Sequence, residues 1–444
     1  MCTKTKAAGA AARGRGSALV VVLVIITSVL LIGVALFILG TGESGIVEHN
    51  VDRARAFYLA ESGLARARTW LEQQAQQFPP QYPEQASFED QALGGGQYDV
   101  ALTRLPGANP WVEYYEVIST GEIDNTPRQV RAIYRQETFA QYVYFADESA
   151  NIWFITGNRM DGRVHVNGHI RISGDPWFGM KVTSAENEMI MANGSNPIFE
   201  AGYELGVDYI PLPVSPTLAA DLASDAQSGG TYGGTLNGSS ARYEVEIGRD
   251  GLGTVSYRAR ERVGGTYQWG PWTPVDIEAT NGIMWFEEPV YIEGLLDGQL
   301  TVGSAGDISI TDNILYEDST AGEGPNPGCD DVLGMVSAGD VIVYDTPENL
   351  NNVEIHAHMI ALDESFTARN YNSGPPRGDL TIYGGFAQKK IGAVGIFGSG
   401  HVILHGYNKV YHFDRNLMVN SPPGYPPTGR YILTLWEEIS PPQA

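Results

Sequence analysis

The chain is 444 residues long and carries a formal charge of −24 at pH 7. Phosphate backbones need a basic face, so this balance argues against a nucleic-acid partner. The length suits two or three domains or one long repetitive one, and two cysteines, Cys2 and Cys329, are too few for a disulfide framework.

The first element is apolar. Lys4, Lys6, Arg13 and Arg15 precede a run from Ser17 to Leu39 in which almost every residue is apolar, and no charge falls between Arg15 and Glu43. At ~1.5 Å per residue, a helix of this length covers the ~30 Å hydrocarbon core. The basic residues place the N-terminus in the cytoplasm and the rest outside, which predicts a single-pass cytoplasmic (inner) membrane protein with a periplasmic or extracellular C-terminal part. A cleaved secretory signal is the alternative. Its apolar core is ~7–15 residues, shorter than this run, and Gly40-Thr41-Gly42-Glu43 lacks its A-x-A pattern.

The next stretch has no proline and keeps a helical period. Phe57, Ala60, Leu64, Ala67 and Leu71 recur at spacings of three and four, one face of a helix that Pro79-Pro80 stops. Both parts together predict one helix over 17–78, about 90 Å long, with Gly40, Gly42 and Gly45 as bend points.

The segment "RGRGSALVVVLVIITSVLLIG" resembles a prepilin leader, and "RARAFYLAESGLARA" (53–67) resembles the segment that follows the membrane helix in PilX-type minor pilins and pseudopilins. The resemblance covers about 14–70. It implies that a prepilin peptidase cuts between Gly16 and Ser17, that 1–16 is a leader, and that the helix meets other pilins in a type IV pilus or type II secretion-like assembly; no cofactor is expected from the residues, Ca²⁺ being the one candidate. Where most pilins carry a glutamate at the fifth mature position, this chain has Val21. A buried membrane carboxylate is costly unless paired, so its absence removes one contact with a neighbour. That suits a tip or low-copy subunit and leaves open an anchor that never polymerises.

Residues 79–96 read as a polar linker. Three alternating runs over 97–140 predict a small antiparallel sheet, the plan of a pilin head. From 141 to 425 short aliphatic pairs recur between Gly, Asn and Asp, as at Val290/Ile292, Leu300/Val302 and Ile308/Ile310. The fold class expected is therefore an N-terminal long α-helix plus a mostly β ectodomain, a parallel β-helix or solenoid, with a β-sandwich as alternative. Within it 184–280 reads as an insertion, with a short helix at 216–226 and a hairpin turning near Asp250-Gly251. Residues 426–444 read as a proline-rich tail. Phrases such as "FITGNRMDGRVHVNGHIRISGDPWFG" resemble an uncharacterised bacterial domain that follows prepilin-like N-termini.

Candidate chemistry is sparse. His165 and His169 lie ~13 Å apart along a strand, too far to share a metal, while His356 and His358 lie ~7 Å apart on one strand face. Asp147-Glu148, Glu287-Glu288, Asp330-Asp331 and Asp363-Glu364 are adjacent pairs whose side chains point to opposite faces of a strand. The loop "NPGCDD" has oxygen ligands for Ca²⁺ without the order of a known calcium loop. Ser399 and His401 lack a third triad member. Trp269 and Trp272 are candidates for an exposed aromatic binding patch. The expected function is structural rather than catalytic; the alternative is a membrane-anchored protein that binds or cleaves polysaccharide.

Overall fold

A computed structural model describes residues 15–77, 80–107, 109–148, 150–320 and 322–441, with the backbone alone at 15–17 and 39–46. Helix α1 spans Arg15–Ala75 without a break. Its first part, Ala18–Ile38, is apolar on all sides and lies exposed rather than packed in the core. Its second part is one-sided: Ala56, Leu59, Ala60, Leu64, Ala67 and Leu71 are buried and Phe57 is half-buried. The leader expected at 1–16 lies outside the described residues as far as residue 14.

Strands β1 (Gln85–Leu93), β2 (Gly96–Leu105), β3 (Tyr114–Ile123) and β4 (Thr126–Thr138) form an antiparallel meander on the buried face of α1. The tight turn between β3 and β4 uses Asp124 and Asn125 at positive φ, as a two-residue hairpin requires. Two segments differ from the sequence reading. The supposed linker contains β1, a polar edge strand whose register slips between Phe88 and Gln91. The supposed tail contains the strand Pro427–Ile439, which pairs with β4 and completes a five-stranded sheet. The bulge and the flanking prolines disguise both strands.

Between β4 and that last strand the chain winds into a stack of parallel strands. One side carries Ile283–Phe286, Gln299–Ser304, Val332–Ser337 and the ends of Val353–Ala361 and Pro376–Gln388 in order. A second side carries Arg242–Ile247, Val290–Leu296, Ile308–Tyr316, Val341–Val343 and Phe366–Ala368. These ladders are parallel and local, as in a solenoid and not a sandwich. The aliphatic pairs at 290, 300 and 308 turn out to occupy alternating sides: Val290 stacks on Ile308, and Val302 lies between Met284 and Met335.

The order of the stack is not the order of the chain. Strand β5 (Tyr142–Ala146) pairs with Arg163–Val166 on one edge and with Pro376–Gln388 on the other. The chain thus enters in the middle of the stack. It winds outward through Val182–Ser184 to Tyr203–Leu205 and crosses back by way of helix α2 (Ser215–Gly229). It then begins again at the far end with Thr231–Gly233 and winds inward to Ile403–His412, which lies against Arg159–Met160. The region 184–280 therefore contains outer rungs, the return crossing, the first rung of the second half, and an antiparallel group over 254–276 that covers this end.

This route explains why several strands are apolar at every position. In Val332–Ser337, Leu333 and Met335 face the interior of the stack, while Val332 and Val336 face a second core. Leu218, Leu222 and Ala226 of α2, with Leu417 and Tyr425 of the exit segment, cover that outer face. A strand buried on both faces loses its period of two.

Candidate assembly interface

The phrase Y-L-A-E-S-G shows how the sequence builds the junction of helix and head. Leu59 and Ala60 are buried against the sheet. Gly63 lies where a β-carbon would collide with Ser119 and Val100, and Gly121 of β3 lies where one would overlap the backbone of Ala56 and Ala60. Helix and sheet touch backbone to backbone there, which only glycine permits. Glu61 accepts a hydrogen bond from the Trp436 indole at 2.7 Å, and Phe57 meets the Trp436 ring edge-on at 6.2 Å. The last strand therefore clasps the helix as well as closing the sheet. Ser62 donates to the Tyr58 carbonyl, and Tyr58 points outward, 68% exposed.

What remains uncovered is the apolar length Ala18–Ile38. Val21 is 57% exposed and its neighbours are similar. Thr27 returns its hydroxyl to the carbonyls of Leu23 and Val24, so this polar side chain asks nothing of its surroundings. The segment is long and apolar enough to cross a membrane. Gly16 and Ser17 fall at the start of the helix, and their side chains lie outside the described residues.

Head and stack are joined by a buried carboxylate. Glu137, 2% exposed, accepts from Arg163 at 2.7 Å, from Tyr142 at 3.2 Å and from Thr428 at 2.8 Å. Arg135 donates to the carbonyls of Met418 and Val419 in the exit segment.

The other candidates separate into individual roles. His165 bonds Thr183 and Asn167, and burial lowers its pKa to about 4. His169 lies within 4 Å of Glu186 and Glu188. His356 accepts from the Tyr316 amide and bonds Glu354, whereas His358 links Tyr425 to the Tyr142 carbonyl, its pKa lowered to about 3 by burial. Asp147 is buried against Lys389, Tyr209 and Asn167. Glu287 accepts from Trp285 and Tyr232, Glu288 from the Leu236 amide, and Glu364 pairs with Lys390. Asp331 accepts from two backbone amides, and the Cys329 thiol beside it is pushed up to about 12 by burial, the reverse of an activated nucleophile. Ser399 and His401 lie in a short 3-10 turn, and the His401 ring bonds Ser173 instead.

Trp269 and Trp272 are brought together. Arg258 lies over both rings, at 4.4 and 4.3 Å, with Arg242 over Trp269 and Arg249 over Trp272. Sequence reasoning missed three groups. Asp161 and His412 pair at 2.7 Å in a cleft whose Asp414 is pushed up to about 6 by burial. Lys409 lines a separate cavity. Trp436 sits in what read as a tail. An isolated charge inside an apolar alternation was the one available signal, at Lys409.

Two family models match parts of the chain. The PilX N-terminal family model matches residues 15–65, the stretch from the start of α1 through Y-L-A-E-S-G. The model of a domain of unknown function, DUF4900, matches residues 111–186, which run from the head into the first rungs of the stack. No curated protein matches the chain. Among solved structures it is similar to that of the competence-associated pilin ComZ from Thermus thermophilus, at 13% identity and a TM-score of 0.33, over 87% of this chain and 97% of that one. The chain carries a PilX-type, minor-pilin-like N-terminus joined to a separate β-rich domain.

Proposed function

We propose that this chain is a low-copy minor pilin that sits at the tip of a type IV pilus or related pseudopilus and presents its stack of strands outward. The observation that carries the reading is the uncovered apolar helix Ala18–Ile38 with Val21 in place of a carboxylate. Such a helix is satisfied by lipid before assembly and by other helices after it. Without a carboxylate at residue 21 it offers nothing to neutralise a neighbour's new amine, which suits a position lacking a subunit on that side. Loss of Lys4, Lys6, Arg13 and Arg15 on processing would take the formal charge from −24 to −28. Crowding such heads side by side repels them at short range. In this reading a prepilin peptidase removes the leader, the membrane is the cytoplasmic one, the head faces outward, and Trp269 and Trp272 belong to the displayed surface.

Mass spectrometry of the native protein tests the processing step. A mature N-terminus at Ser17, abolished by Gly16→Val, is expected; a native Met1, or a terminus beyond Leu39, refutes it. Electron microscopy of the purified, processed protein tests the position. Filaments built from this chain alone would refute a tip role.

The cleft holding Asp161, His412 and Asp414 favours a second reading, an anchored protein that cleaves polysaccharide. Acid-dependent depolymerisation that Asp414→Asn abolishes would establish it.

A further inference from the structure

Lys409 occupies a position where the stack uses apolar side chains. On the strand Ile403–His412 it alternates with Tyr407 and Tyr411 onto one face, and both tyrosines belong to the main core. Its ammonium lies 5.7 Å from the centre of the Phe154 ring. Among the described residues no carboxylate pairs with it and no hydrogen bond reaches it; burial alone lowers its pKa to about 8. Lys409 is half-buried, and its ammonium is desolvated in part with no opposite charge beside it.

Lys409 is one of the residues lining a cavity of about 270 Å³ beside the Phe154 ring. Trp153, Tyr371, Phe397 and Tyr407 supply aromatic walls, and Asn151 and Asn158 supply amides. The site is built: the Trp153 indole donates to Asn151 at 3.0 Å, and Asn158 donates to Asn408 at 3.4 Å while accepting from the Ile155 amide at 2.9 Å. The volume is at the low end for small-molecule sites, room for one ring.

We infer that this cavity binds a single acidic sugar, its carboxylate on Lys409 and its ring against the aromatic walls. Flat rings and amide groups suit a hydroxylated ring, which has both apolar and polar edges. One point charge suits one carboxylate. A phosphate would call for several convergent donors, and among the described residues one cation, Lys409, lines this cavity. A free sugar acid and the end residue of an acidic glycan share this chemistry.

Calorimetric titration of the full-length protein in detergent micelles tests it, with glucuronate, glucose and acetate as probes. Glucuronate should bind about tenfold or more tighter than glucose or acetate. Lys409→Met should bring glucuronate to within about twofold of glucose, and Trp153→Ala should weaken both sugars about tenfold. Because Trp153 lies outside the strands, its variant tests the site even if the lysine variant fails to fold. An oligosaccharide ending in glucuronate distinguishes the sources, binding as well as the monosaccharide for a glycan end and about tenfold worse for a free sugar. Equal binding of glucuronate and glucose, acetate matching glucuronate, no heat at about 10 mM of any probe, or a preference unchanged in the lysine variant would each overturn the assignment.

Discussion

Lys409 gives the molecule a pH signature whose sign can be worked out. Its pKa falls from an ordinary 10.5 to about 8 in the folded state. Below pH 8 folded and unfolded chains both hold the proton, and the folded state bears the whole cost of holding this half-buried ammonium away from water. Between 8 and 10.5 the folded chain sheds the proton while the unfolded chain keeps it, so the penalty is relieved as pH rises. Lys409→Met should therefore stabilise most at pH 7, and the gain should shrink by pH 10. Urea unfolding of both proteins at the two pH values checks this; an equal difference at each would contradict it. Val302 is the opposite case, fully buried between Met284 and Met335 in the stack. Val302→Asp places an unpaired carboxylate there and should cost at least ~3 kcal/mol. A variant that melts like the parent would remove Val302 from the interior.

Helix and head depend on an approach that side chains cannot bridge. Gly121→Val would drive a branched side chain into the backbone of Ala56 and Ala60, and should cost ~2–3 kcal/mol in urea unfolding. A loss under ~0.5 kcal/mol, the usual range for surface changes, would mean that helix and sheet are not in contact at this point. The last strand has a similar role at lower cost per residue. Trp436→Phe keeps the ring against Phe57 and deletes the hydrogen bond to Glu61; about 1 kcal/mol is expected, read in the same assay. Much of this level was legible beforehand. The period of 57–71 marked the buried face of α1, and alternation marked β2, β3 and β4. Strand β1 was not legible, because an edge strand with Asp90 in a bulge has no apolar period to read. The last strand hid behind Pro422, Pro423, Pro426 and Pro427. Nor could the stack's route be read. Each rung repeats the same aliphatic-and-glycine wording, so nothing local says that β5 lies in the middle. At Lys409 the isolated charge was visible in the sequence, but its meaning rests on Tyr407 and Tyr411 facing inward.

At the scale of the molecule the stack behaves as a one-dimensional array held most firmly where both halves meet. The central rung, 143–146 against 386–388, has neighbours on each edge and a covered outer face. The rung at 198–205 is terminal, and Ile198 and Tyr203 are exposed. Amide hydrogen exchange should be slowest at 143–146 and at least about tenfold faster at 198–205. Equal protection would mean that the array opens as one unit. The entry and exit of the stack both lie at the head, which takes its first four strands from before the stack and its fifth from after it. This arrangement imposes an order in time. A chain emerging N-terminus first displays α1 and four strands early, with the edge of β4 unpaired and Glu61 waiting for its indole. All the rungs must pass before the strand Pro427–Ile439 arrives. A chain cut short by stalled synthesis or by proteolysis can stack its rungs yet never finish the surface next to its helix. The final strand is thus the last part of the head to form, and the sheet beside the helix is complete only in a full-length chain.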